Sequence, residues 1–191
     1  MPALQPFKLE RYFAEHEFKT RFLLSASDCE SLSQAELLAL ADDDGRRRWD
    51  TLRLGYTESQ GDPALRAAVA AQYERVDPSQ VLVAAPEELI FIAMQTLAGP
   101  GQHAICMQPA YQSLYEVARA TGGEVSAWPV ELTPADDTWR LDLDRLASLI
   151  RPTTRLLVVN FPHNPTGFVP SRALLDGILD IARRHDLIVF S

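Results

Sequence analysis

Cysteine is scarce in these 191 residues: Cys29 and Cys106 are the two, far apart and without metal-ligand spacing. That excludes a disulfide framework or a cysteine-built metal centre, and both side chains are expected as thiols. No apolar run approaches the ~20 residues of a membrane-crossing helix. The start, MPALQPFKLERYF, has no apolar stretch behind a basic one, as an export signal would. A cytoplasmic protein without a membrane segment is the expectation. Positive charge is in deficit, 18 basic against 26 acidic residues for a formal net charge of -8. This argues against nucleic acid or anionic membranes as partners, since both need a basic surface, while leaving room for a small anion held locally. Repeats and low-complexity tracts are missing too. No G-x-G-x-x-G follows the first candidate strand, which disfavours a dinucleotide-binding fold.

What is present is the composition of a globular chain, 47% hydrophobic and 23% charged. Residues 1 to about 50 show no regular alternation and read as a peripheral segment. Within them, LSQAELLALADDD predicts one amphipathic helix with Ser33 as N-cap and Glu36 closing a capping box. Asp62 and Pro63 open a second helix, with Leu65, Val69, Tyr73 and Val76 at helical spacing. Five short apolar runs follow: VLVA at 81–84, AICM at 104–107, EVSAWPV at 124–130, RLLVVNF at 155–161 and LIVFS at 187–191. They alternate with helical stretches near 86–98, 110–121, 142–150 and 171–185. This pattern predicts an α/β fold with a mostly parallel sheet and flanking helices. The last run ends the chain inside a buried-type strand, so an incomplete domain is expected, with 1–50 as an N-terminal segment and 51–191 as the partial large domain.

In open parallel sheets, ligands bind beyond the carboxyl ends of the strands. Three turns stand there. Ala85-Pro86-Glu87-Glu88 starts a helix whose free N–H groups and dipole suit a phosphate, though taken alone it reads first as an ordinary helix start. Gln108-Pro109-Ala110-Tyr111 presents a ring that either stacks on a planar heteroaromatic ligand or packs in the core. Asn160 to Gly167, NFPHNPTG, holds Asn164 on a loop stiffened by two prolines, or is a plain turn. Asn164-Pro165-Thr166 is not a glycosylation acceptor, because its middle residue is proline. His103 and His185 read as surface groups, His163 as a bland neighbour of Asn164 with a supporting role as the lesser alternative, and Arg46 to Arg48 as a solvated face. Arg66 reads as structural.

NPTG after an apolar strand, P-x-Y upstream and Tyr56-x4-Gly61-x3-Leu65-Arg66 before that together resemble the class I/II aminotransferases, pyridoxal-phosphate enzymes of fold type I, over roughly residues 52–191. The resemblance implies pyridoxal 5'-phosphate as cofactor, with Tyr111 stacked on its pyridine ring and Asn164 hydrogen-bonded to its phenolic oxygen. Glu87 and Glu88 would offer backbone N–H groups to the phosphate, and Tyr56 would reach the phosphate of a neighbouring subunit, implying a homodimer. Residues 25–28 would line the substrate pocket, and cis peptide bonds are expected before Pro109 and Pro165. The implied reaction passes an amino group from an amino acid to a 2-oxo acid.

Two departures qualify the likeness. Ala85 and Pro86 stand where the family usually has glycine and a donor residue, and Pro86 has no N–H to give. The other is lysine: Lys8 and Lys19 are the only two, and neither follows a strand. The family's Schiff-base lysine, and the acidic partner of the pyridine nitrogen, are therefore expected to be missing from this chain, leaving it without a catalytic lysine. The alternatives are a β-lyase or an amino-acid cyclase on the same scaffold, or a non-catalytic remnant.

Overall fold

The computed structural model describes residues 3–191. They divide into two compact units, Pro86–Ser191 with the N-terminal residues through Ser27, and Asp28–Ala85.

The first unit is built on four parallel strands, β1 (His103–Gln108), β2 (Glu124–Pro129), β5 (Thr154–Val158) and β6 (Ile188–Phe190), in the order β2-β1-β5-β6. Between β2 and β5 lies a small antiparallel hairpin, β3 (Glu131–Thr133) and β4 (Thr138–Arg140). Parallel neighbours need crossovers, and helices supply them: α6 (Ser113–Ala120) joins β1 to β2, α7 (Leu143–Leu149) precedes β5, and α8 (Arg172–Arg184) joins β5 to β6. α5 (Pro86–Leu97) leads into β1, and α1 (Lys8–His16) lies near the N-terminus.

The two-residue period of the strands sorts side chains onto two faces. Ile105, Met107, Leu157 and Val159 join Trp128, Leu146, Ile178 and Ile181 in one core beneath α7 and α8. Ala104, Cys106, Leu156 and Val158 join Met94, Leu114 and Val117 in a second core beneath α5 and α6. Each fully buried aliphatic side chain contributes roughly 1.5–3 kcal/mol. Strands covered on both faces read as continuous apolar runs, which is why AICM and RLLVV stood out in the sequence. α8 comes close enough to α7 that a Cβ on Gly177 would meet Leu143.

The second unit holds three short α-helices, one 3-10 turn (Pro78–Gln80) and little core; Gly61 and Ala70 are its buried residues. α2 (Gln34–Ala39) carries the expected capping box of Ser33 and Glu36. The helix does not run on as the sequence suggested: Asp42 accepts from the Gly45 N–H and starts α3 (Asp43–Asp50) instead. Arg46, Arg47 and Arg48 are exposed on it, as expected. α4 (Pro63–Ala70) begins at Asp62 and Pro63 but stops before Tyr73 and Val76. Arg66 donates to the carbonyls of Pro78 and Val81, the structural part foreseen for it. Gly61, at φ 103°, sits where a Cβ would collide with Val83.

The expected strand at 81–84 does not form. Strands exist by pairing, and among the described residues the sheet contains only β2, β1, β5 and β6. Val83 instead gives its N–H to Gln60.

Candidate active site

Two loops leave the carboxyl ends of adjacent parallel strands, β1 and β5. The first carries Pro109, Ala110 and Tyr111 into α6, whose first turn is closed by the Leu114 N–H on the Tyr111 carbonyl. The second is the NFPHNPTG loop. It is folded on itself: the Asn164 N–H is held by the Asn160 side chain at 2.9 Å, the Gly167 N–H by the His163 carbonyl at 2.7 Å, and the His163 N–H by Phe168. Gly167 takes φ 72°, which favours glycine, to close the turn. The peptide bonds before Pro109 and Pro165 are cis as expected, and so is the one before Pro162.

His163 joins the loops. Its ring is buried, with Nε2 2.6 Å from the Pro109 carbonyl and Nδ1 2.7 Å from the Thr166 hydroxyl. Tyr111 is half-buried and Asn164 exposed, both at the same end of the sheet. α5 reaches this end as well. Glu87 in its first turn accepts from the Ser113 hydroxyl, 3.1 Å away at the start of α6. The first-turn N–H groups of Glu87 and Glu88 have no intrahelical acceptor, and Pro86 has no N–H at all. The chain thus brings together Tyr111, Asn164, Pro86, Glu87 and Glu88. Ala85 closes the other unit, and Tyr56, also in that unit, is fully exposed.

The N-terminal segment is less peripheral than its sequence suggested. Tyr111 donates its hydroxyl to the Glu10 carboxylate of α1, and Phe7 meets the tyrosine ring edge-on. Gln112 accepts from the Lys8 N–H and donates to the Pro6 carbonyl. Asn164 donates its amide to the Ser27 hydroxyl at 3.3 Å. Burial, then the hydrogen bond and negative charge of Glu10, raise the Tyr111 hydroxyl above the usual tyrosine range, so the ring stays a neutral phenol. Local sequence could not announce Glu10, which stands 101 residues from its partner.

The opposite end of the sheet corrects another expectation. His103 is not a surface group: it is 1% exposed at the start of β1, with Nδ1 2.8 Å from Thr154 Oγ1 and Nε2 2.9 Å from Ser126 Oγ. Burial, with the Arg151 guanidinium adding to it and Glu124 opposing, lowers its pKa. His185 is exposed at the end of α8, as expected. Among the described residues no cluster of His, Cys, Asp or Glu suits a metal ion, and no helix is long and apolar enough to cross a membrane.

Residues 22–191 match the family model for aminotransferases of class I and II. Capreomycidine synthase of Streptomyces vinaceus is 36% identical over 86% of this chain and 42% of its own length. An arginine–pyruvate transaminase of Pseudomonas aeruginosa is 32% identical over 71% of this chain and 35% of its own. Among solved structures, a PLP-dependent aminotransferase from Streptococcus suis superposes with a TM-score of 0.88 at 30% identity, covering 98% of this chain and 50% of that one. The chain thus spans half or less of the length of the relatives it matches.

Proposed function

Since the chain belongs to the class I and II aminotransferase family, we propose that it forms the cofactor-gripping part of a pyridoxal-phosphate-dependent transaminase, moving an amino group between an amino acid and a 2-oxo acid. The observation that carries this reading is the meeting of Tyr111 and Asn164 at the carboxyl ends of β1 and β5, tied by His163. When bound, the cofactor supplies an electron sink for charge developing at the substrate's α-carbon.

The residues present fit such a group. The Tyr111 ring is a neutral, half-buried face of the kind that stacks on a flat heteroaromatic ring for about 0.5–1.5 kcal/mol beyond the area it covers. The Asn164 amide has a second N–H beyond the one given to Ser27, available to a phenolic oxygen. A 12-residue helix aims its N-terminus at this end of the sheet, and anions are held there by free N–H groups. Glu87 and Glu88 are the donors in this reading, with Pro86 and Ala85 shaping the turn. The Ser113 hydroxyl holds the Glu87 carboxylate, restraining a negative charge that would oppose the phosphate. Tyr56, wholly exposed, is assigned to the phosphate of a second copy, in a homodimer, and the protein to the cytoplasm. The 191 residues by themselves are read as binding without turnover, because Lys8 and Lys19 stand in and after α1 and neither follows a strand.

A second reading, a cyclase or lyase on the same scaffold, draws on the likeness to capreomycidine synthase. The test is to titrate the chain with pyridoxal phosphate, reduce with borohydride, map any lysine adduct, and assay a panel of amino acids for 2-oxo acid and for ring-closed or eliminated products. Saturable binding that Tyr111→Ala and Asn164→Ala each weaken roughly tenfold supports the reading. Binding indifferent to both substitutions sinks it.

A further inference from the structure

We propose that His163 is a positioning residue: the hydrogen bond from its Nε2 to the Pro109 carbonyl sets where the Tyr111 ring stands relative to the Asn164 amide. This rests on the cofactor reading above, but the tie itself can be tested without it.

Neither strand-end loop is fixed to the other by its backbone. The β1–β5 ladder ends at Cys106 and Val158, and no main-chain hydrogen bond joins residues 109–112 to 160–168 among the described residues. His163 supplies the one hydrogen bond between them. With the ring neutral, one arrangement satisfies both contacts. A carbonyl oxygen only accepts, so Nε2 carries the proton and Nδ1 is the acceptor. Nδ1 then accepts a hydrogen bond from the Thr166 hydroxyl, and Thr166 Oγ1 in turn accepts from the Phe168 N–H at 3.2 Å. Four groups polarise one another in a single direction, from the backbone of the asparagine loop to that of the tyrosine loop.

The setting is unusual for histidine. Pro162, Asn164 and Pro165 are exposed, yet the ring among them is 1% exposed. The polar atoms at stake lie two residues before Tyr111 and one before Asn164. A flat ligand gripped on its face by one loop and on its edge by the other needs the two held in fixed separation, and small misplacements in such constellations are expensive.

Two substitutions separate positioning from mere packing. His163→Gln places an amide N–H near the position of Nε2 and keeps the link to Pro109; His163→Asn places its amide near Nδ1 and keeps only the Thr166 side. Each variant and the parent are titrated with pyridoxal phosphate, and amide hydrogen exchange is followed across residues 110–114 without ligand. His163→Asn is expected to bind roughly tenfold more weakly and to exchange faster across the tyrosine loop, while His163→Gln stays within about threefold of the parent in both. Equal behaviour of the two variants, or parental values for His163→Asn, overturns the proposal. If the parent binds no pyridoxal phosphate the cofactor reading fails, and the exchange difference still decides the tie. If His163→Asn does not fold, His163→Phe, which keeps a ring but removes the hydrogen bond to Pro109, is read the same way: faster exchange supports the tie and unchanged exchange refutes it.

Discussion

The two ends of the parallel sheet each bury a histidine, and the two are held differently. At the amino end, His103 lies between strands, bonded to Ser126 of β2 and Thr154 of β5, and Arg151 extends the network by donating to Ser126. At the carboxyl end, His163 lies between loops and bonds a main-chain carbonyl. One histidine fastens elements already joined by a hydrogen-bonded ladder; the other fastens segments that nothing else in the backbone joins. Burial of a polar ring thus serves stability at one end and placement at the other.

If that division holds, substitutions at the two ends separate in what they change. The largest effect is expected from His103→Ala, which empties a buried site and strips a partner from each of two hydroxyls. Urea unfolding should show a loss of roughly 2–4 kcal/mol, with pyridoxal phosphate affinity of the folded fraction unchanged. A parallel loss of affinity would break the comparison.

A smaller effect is expected from pH. Because folding lowers the His103 pKa below its usual 6.5, the unfolded chain binds the proton more readily. This contribution to stability is therefore complete above about pH 6.5 and falls as the pH drops through the lowered value. His103→Gln should flatten that part of the stability profile relative to the parent. An unaltered slope would show that other groups set it.

The smallest effect belongs to Ser113→Ala at the carboxyl end. Loss of the hydroxyl frees the Glu87 carboxylate beside the α5 N-terminus, and binding of pyridoxal phosphate should weaken about threefold while that of pyridoxal, which lacks the phosphate, does not. Equal weakening of both ligands would place the phosphate elsewhere.

The parts legible in the sequence were those whose pattern is local. The runs that became β1 and β5 were readable because both faces of each strand are largely covered, those of β2 and β6 from short apolar runs alone, and the caps Ser33, Asp62 and Ser171 because capping acts within three residues. VLVA at 81–84 has the same composition but no partner in the sheet, a fact no local pattern contains. The β3–β4 hairpin escaped notice because its turn relies on Asp137 at φ 53° within a short polar stretch. α1 has Leu9, Tyr12, Phe13 and His16 at helical spacing but no side-chain cap at Phe7, so its start carries no local signal. Of the proposed site, the placement of Tyr111 and Asn164 at strand ends was legible. The burial of His103 was not, because it depends on Ser126 and Thr154, 23 and 51 residues away.

Cys106 lies at the centre of this sheet, on β1 between β2 and β5, 1% exposed, its thiol pushed up to about 12 by burial. Cys29 is exposed. An alkylating reagent therefore meets one thiol that reacts at once and one that waits for the strands to part. The mass of the chain should climb in two steps, the first a check on the reagent and the second a clock for opening of the sheet. The protein carries its own gauge of how often the platform beneath Tyr111 and Asn164 comes apart.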